Sequence, residues 1–194
     1  MSRKVVAKFE KVSYKQFKKD FEDTFTWGDM MALGLLPPRL TEPDKCVIEA
    51  TIRKIYDKIE LPKRSTKGSA GYDFFSPITI DLKPGQTVKM PTGIKCKMYS
   101  SWVLKLYPRS GLGFKYRLQL NNTVGIIDSD YYGNENNEGH IMAKITNDTN
   151  ENKTAHLEAG TGFMQGIFVE YGITEDDDAN GIRVGGFGST TNKK

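Results

Sequence analysis

The sequence predicts an all-β domain preceded by a helical appendage, and three observations lead there. Between about residues 47 and 174, short alternating or β-branched segments recur, and Gly, Pro and Asn clusters separate them. Helical periodicity is confined to the residues before that stretch. From residue 175 onward the chain turns acidic and then Gly-rich, with no apolar period. The 194 residues suffice for one domain with a sizeable core and an appendage. The expected organisation is a helical extension over 1–46, a β core over 47–174 and a flexible C-terminal arm over 175–194.

The first element is a helix beginning at Ser13. Ser13 and Gln16 have capping-box spacing, and Val12 and Phe17 have the spacing of a hydrophobic staple. Tyr14, Phe17, Phe21 and Phe25 then fall on one face, opposite Lys15, Lys18, Lys19 and Glu22. An aromatic stripe of this kind packs on its own domain or on a neighbouring subunit more readily than on a membrane. A second short helix is expected over Trp27–Leu36, ended by Pro37-Pro38, with Pro37–Asp44 as a connector. Strands are expected at Ile78–Leu82, Thr87–Met90, Ile94–Tyr99, Val103–Tyr107, Arg117–Leu120, His140–Thr146 and Phe163–Tyr171. Turns are expected at Pro84-Gly85, Pro91-Thr92-Gly93, Gly111–Gly113 and Asn147–Asn152. Many short strands with little helix indicate a sandwich, a jelly roll or a barrel.

Composition narrows the function classes. Apolar residues make up 38% and charged residues 27%, which indicates a globular chain. The longest apolar stretch, Met30–Leu36, is too short to span a bilayer. The N-terminus lacks the apolar run of a secretory signal, so a cytoplasmic location and no membrane partner are expected. A net charge of +4 favours anionic ligands, but no window interleaves Arg with aromatics, and direct nucleic-acid binding is not expected. Cys46 and Cys96 have no metal spacing and are expected as buried free thiols. His140 and His156 are expected as ordinary strand residues. No Walker-A loop or dinucleotide fingerprint is present.

Five short blocks carry the chemistry. They are Ala70-Gly71-Tyr72-Asp73, Pro108-Arg109-Ser110-Gly111-Leu112-Gly113-Phe114-Lys115, Gly125-Ile126-Ile127-Asp128-Ser129-Asp130-Tyr131-Tyr132-Gly133, Gly160-Thr161-Gly162-Phe163-Met164-Gln165, and Arg183-Val184-Gly185-Gly186-Phe187-Gly188-Ser189-Thr190. Asp128 follows the apolar run Val124–Ile127 and precedes a turn, which suits either turn initiation or a rigidly projected carboxylate. Arg109, Ser110 and Gly111 combine a charged fork, a hydroxyl and a close-approach glycine, the groups a phosphate needs. The tail offers amides, hydroxyls, Arg183 and the flat ring of Phe187.

In this order the five blocks resemble the motifs of the trimeric dUTPases, over about Leu61 to Thr190. The resemblance implies a jelly roll of the β-clip type and hydrolysis of dUTP to dUMP and pyrophosphate, which limits uracil incorporation into DNA. It implies Asp128 as the general base that activates water against the α-phosphate. Asp73 would hold Mg²⁺ through a water, and Arg109, Ser110, Gly111 and Gln165 would face the phosphates. Uracil would be read at the expected hairpin Leu120–Gly125, with Asn122 and Gly125 lining it, and Tyr131 would lie against the deoxyribose. Phe187 would stack on the base while Arg183, Gly188, Ser189 and Thr190 close over the phosphates. The assembly implied is a homotrimer whose pockets take motifs one, two and four from one subunit, motif three from a second and the tail from a third.

This sequence departs from the family pattern at several points. Gly162 stands where the fourth motif has Arg, Tyr132 where a basic or polar residue is common, and Arg183 lies one residue nearer the glycine pair. Asn134–Glu138 has the look of a small insertion after motif three. Two rival functions remain. A dCTP deaminase of the same fold would need a Glu within His140–Ile145, where there is none. A nucleotide-gated regulatory protein is the other, since the N-terminal appendage leaves room for a second role.

Overall fold

The computed structural model describes residues 4–183 and Gly185. Its strands are β1 (Ala7–Lys11), β2 (Tyr72–Phe75), β3 (Ile80–Leu82), β4 (Thr87–Pro91), β5 (Ile94–Met98), β6 (Trp102–Pro108), β7 (Leu118–Leu120), β8 (Gly125–Ile127), β9 (Met142–Asn147), β10 (Ala155–Leu157) and β11 (Gly162–Glu170). Four helices accompany them: α1 (Tyr14–Glu22), α2 (Trp27–Ala32), α3 (Lys45–Asp57) and α4 (Ser110–Tyr116). The strands form a mostly β jelly roll from small antiparallel sheets. The largest runs β2-β11-β6-β8, a three-stranded sheet runs β4-β9-β7, and β1-β5 and β3-β10 form pairs. No helix among the described residues is long and apolar enough to cross a membrane.

Strands β3, β4, β7 and β10 alternate buried and exposed positions, so one face meets the core and the other is solvated. Leu104, Leu118, Met90, Phe74 and Phe163 are fully buried between the sheets. Gly166 of β11 sits where a Cβ would come within 2.8 Å of Leu104 and 3.0 Å of Phe74, and only glycine lets these side chains close over the strand.

The N-terminal region is more integrated than expected. Residues 7–11 form a strand, not helix, and β1 pairs with β5 from Ala7↔Met98 to Lys11↔Ile94. Phe9 packs edge-on against Phe74, with ring centroids 5.6 Å apart. Helix α1 starts where expected: Ser13 Oγ accepts the Gln16 N–H at 3.1 Å. The reciprocal half of the box comes from elsewhere, because the Ser13 N–H donates to Glu138 Oε2 at 2.9 Å while Gln16 turns to Asp20. Phe17, Phe21 and Phe25 are buried in the common core, so the aromatic stripe packs on its own chain.

The boundary expected at residue 47 falls inside α3. Asp44 caps that helix by accepting the N–H groups of Cys46 and Val47. Val47, Ile48, Thr51 and Ile52 resemble a strand by composition. At helical spacing, however, Ile48, Ile52 and Ile55 form one face that meets the core, and packing outweighs propensity. Cys46, in the first turn, is exposed, while Cys96 is buried as expected; both are free. Glycines 111 and 113 lie within helix α4, not a simple turn, and that helix ends at Arg117 in the left-handed region (φ 48°).

The uracil hairpin expected at Leu120–Gly125 is instead a crossover between sheets, since β7 pairs with β9 and β8 pairs with β6. Thr123, at φ 65°, makes the bend. Strands β2, β8 and β10 are only three or four residues long, too short for their pattern to mark them in the sequence.

Candidate active site

Strand β8 delivers Asp128. Its residue Gly125 opposes Leu106 of β6, and a Cβ on Gly125 would lie 3.0 Å from that side chain, so the strand lies flat on its neighbour. Asp128 then starts a single 3₁₀ turn, Ser129–Tyr131, with its carboxylate not used as a cap. Its carboxylate is half-exposed and lines a cavity of about 620 Å³. Asn122, Gly125, Asp128, Tyr131 and Arg183 all line this cavity, and Val124 and Met142 add apolar wall. Five residues singled out in the sequence are thus gathered in one place.

Tyr131 is buried, and loss of hydration pushes its phenol pKa up. Its hydroxyl donates to the His140 carbonyl at 3.0 Å and accepts from Asn137 Nδ2 at 2.7 Å. Arg183 is paired with Asp128 through Nη2 and with Asp130 through Nε, the latter at 2.8 Å. Phe187, Gly188, Ser189 and Thr190 lie outside the described residues.

A second group of the singled-out residues collects at the end of β2, β11 and β6. Asp73 of β2 opposes Gln165 of β11, and Gln165 opposes Tyr107 of β6. Arg109 follows β6 and precedes Ser110 and Gly111 in the first turn of α4. Its Nε lies 3.4 Å from Asp73 Oδ1, and its Nη1 donates to the Gly162 carbonyl at 3.3 Å. Gly71 admits the Gln165 side chain, since a Cβ there would fall 2.4 Å from Gln165 Oε1. Gly162 admits Arg109 in the same way, its absent Cβ falling 2.8 Å from Arg109 Nη1. The fourth block's missing arginine therefore leaves the space in which Arg109 lies.

The cavity that holds Asp128 is lined by none of the second group. Among the described residues, no ion pair or hydrogen bond joins Arg109 or Asp73 to Asp128. Among the described residues there is also no cluster of three or more His, Cys, Asp or Glu side chains that could hold a metal ion.

Sequence reasoning missed Asp130 as a partner of Arg183, and Asn137 and His140 as partners of Tyr131. His140 is not a strand residue but a fully buried side chain ahead of β9, with Nδ1 2.5 Å from Asp20 and Nε2 accepting the Gly93 N–H at 2.7 Å. Nothing local marks a long-range pair such as Asp20–His140. Asn137 was legible only as part of an insertion.

Comparison with known proteins places this layout. The family model of dUTPase matches residues 57–191. A deoxyuridine 5'-triphosphate nucleotidohydrolase of Lactococcus lactis subsp. lactis (strain IL1403) is 42% identical over 134 residues, covering 68% of this chain and 88% of the relative. One from Escherichia coli O45:K1 (strain S88 / ExPEC) is 36% identical over 143 residues, covering 70% of this chain and 89% of the relative. The crystal structure of dUTPase from Streptococcus mutans is similar at 43% identity and a TM-score of 0.53, covering 59% of this chain and 88% of that one. The matched stretch takes in the five ordered blocks and both residue groups that the fold assembles from them, and the chain belongs to the dUTPase family.

Proposed function

We propose that this chain hydrolyses dUTP to dUMP and pyrophosphate by water attack on the α-phosphate, in the cytoplasm. The observation that carries this reading is that Asp128 lines one cavity together with Asn122, Gly125 and Tyr131. Asp128 acts as the general base, its carboxylate accepting a proton from the attacking water. Main-chain groups beside Asn122 and Gly125 read the uracil edge. A donor held opposite O4 accepts uracil and opposes the amine of cytosine, and a lost polar match of this kind costs roughly 10⁴–10⁵ in specificity. Tyr131 lies against the deoxyribose and leaves no space for a 2′-hydroxyl.

Arg109, Ser110, Gly111 and Gln165 hold the phosphates, Arg109 by its charged fork. In the arm, Arg183, Gly188, Ser189 and Thr190 close over them while Phe187 stacks on the base. Asp73 fits a water-mediated hold on Mg²⁺: it is a single carboxylate beside Arg109, and Mg²⁺ takes most of its shell from waters and substrate phosphates. When bound, Mg²⁺ supplies charge neutralisation at the triphosphate.

The separation of the two residue groups within one chain supports a homotrimer with shared sites, in which one copy's Asp128 cavity is completed by another's Arg109 and Asp73. Pyrophosphate release with dUTP, dCTP, dTTP and UTP side by side tests the function. The expected result is release from dUTP alone, dependent on Mg²⁺. Ammonia release from dCTP would identify a deaminase instead, and light scattering that found an active species of 21.8 kDa would exclude the shared site.

A further inference from the structure

Discrimination against a 2′-hydroxyl demands a wall that does not yield. Tyr131 has such support, and it comes from the insertion after motif three. The Tyr131 hydroxyl is fixed in both senses, donating to the His140 carbonyl and accepting from Asn137 Nδ2. Asn137 is itself oriented, because its Oδ1 accepts the Gly139 N–H at 3.0 Å. Gly139, at φ +81°, lies so close that a Cβ would fall 2.4 Å from the Tyr131 carbonyl oxygen. Residues 137–140 thus lie against the Tyr131 backbone at Gly139 and bond its hydroxyl through Asn137 and His140.

The same segment is tied to the N-terminal unit, outside the stretch the family model matches. Glu138 accepts the Ser13 N–H and hydroxyl and pairs with Lys95 at 3.0 Å. The His140 Nε2 accepts from Gly93, which puts the ring proton on Nδ1, facing Asp20. Tyr132 donates to Glu10 Oε2 at 2.6 Å.

We infer that Asn137 is a positioning residue for sugar discrimination, fixing the Tyr131 ring against ribose, and that β1 and α1 brace the 137–140 segment for this purpose. The inference rests on the reading of the cavity as the dUTP site. Without the Asn137 donor, the ring keeps its backbone anchor but gains freedom at its outer end. UTP then enters more easily, while the base Asp128 is untouched.

The test measures kcat/KM for dUTP and for UTP in the full-length wild type, Asn137→Ala, Tyr131→Phe and the double variant. Asn137→Ala is expected to lower the dUTP-to-UTP preference about tenfold, the scale of one buried hydrogen bond, mainly through faster UTP turnover. In the Tyr131→Phe background the same change is expected to do little more, because the bond it breaks is already gone. Asn137→Leu keeps the size of the side chain and can neither donate to nor accept from the Tyr131 hydroxyl, so it carries the test if the alanine variant does not fold. A wild type that hydrolyses dUTP while neither Asn137 variant changes the preference overturns this inference alone. So does an equal loss in both backgrounds. A wild type inert towards dUTP overturns the function proposed for the site.

Discussion

Arg183 closes its guanidinium on two carboxylates, Asp128 through Nη2 and Asp130 through Nε. The fork geometry suits two separate acceptors, and Arg183 is mostly shielded while both aspartates are half-exposed. The carboxylate proposed as base and the arginine proposed for phosphate are thus engaged with each other. Under the proposed roles, a triphosphate would compete with Asp128 and Asp130 for Arg183.

Arg183→Ala should therefore lower kcat/KM for dUTP by about 10- to 100-fold, the scale of a charge-assisted hydrogen bond of roughly 1.5–3 kcal/mol. The melting temperature should hardly move, since a part-exposed ion pair contributes only about 0–1 kcal/mol. Steady-state kinetics beside a thermal melt check this. Full activity in the variant would remove Arg183 from the phosphate role.

Asp128→Asn keeps the shape of the side chain and cannot take the proton. Turnover of dUTP should fall by roughly 10²–10⁴ with the fold intact. Near-normal turnover in the purified variant would show that another group activates the water.

Legibility in the sequence followed the range of the interactions. Asp128, Asn122, Gly125 and Tyr131 sit within ten residues of one another on one strand and its flanks, so the sequence shows them as a group, and the fold lines one cavity with them. Helix α1 was readable because its cap and its aromatic face are local. Strand β1 and helix α3 were not. The first exists because β5 offers a partner edge, and the second because Ile48, Ile52 and Ile55 find the core, and neither fact is written nearby. The support of Tyr131 was hidden for the same reason, since the ties from Ser13 and Asp20 to residues 138 and 140 cross more than a hundred positions.

Gly162→Ala probes the space under Arg109. The added Cβ would meet Arg109 Nη1 at 2.8 Å and Cδ at 3.2 Å, the outer part of a flexible side chain, so Arg109 should move rather than the backbone. That shift takes its guanidinium away from Asp73. We expect a melting temperature close to wild type and a KM for dUTP raised about tenfold, the loss of one hydrogen bond to a charged group. Unchanged KM would mean that Arg109 reaches phosphate from another rotamer.

The two thiols should react very differently. Cys46 is exposed on the first turn of α3, whereas Cys96 is buried, and burial pushes its pKa up to about 12. Thiolate is the reactive form. A thiol-specific chromogenic reagent should modify Cys46 promptly in the native protein and Cys96 only after denaturation. Two fast equivalents in the native state would contradict the packing of β5 against β1.

The ties between α1 and the 137–140 segment should fail in acid. Burial raises the pKa of Glu138, but bonds from Ser13 and the Lys95 ammonium outweigh it and leave the carboxyl below its ordinary 4.5. Asp20 behaves alike: burial raises it, and the bonds from His140 and Gln16 hold it below 3.8. A carboxyl whose folded pKa is lowered contributes stability fully above its unfolded pKa, and loses it as pH falls through the folded value. The contribution of this contact is therefore complete above about pH 5 and declines below 4.5. At pH 7, Glu138→Gln should cost roughly 1.5–3 kcal/mol, the range for hydrogen bonds to a charged acceptor. As pH falls through the lowered folded value the wild type loses the same charge, so the two melting temperatures should converge in acid. Thermal melts of both proteins across that range give the answer: a difference that stays constant down to low pH would mean that Glu138 holds the segment by shape and not by charge.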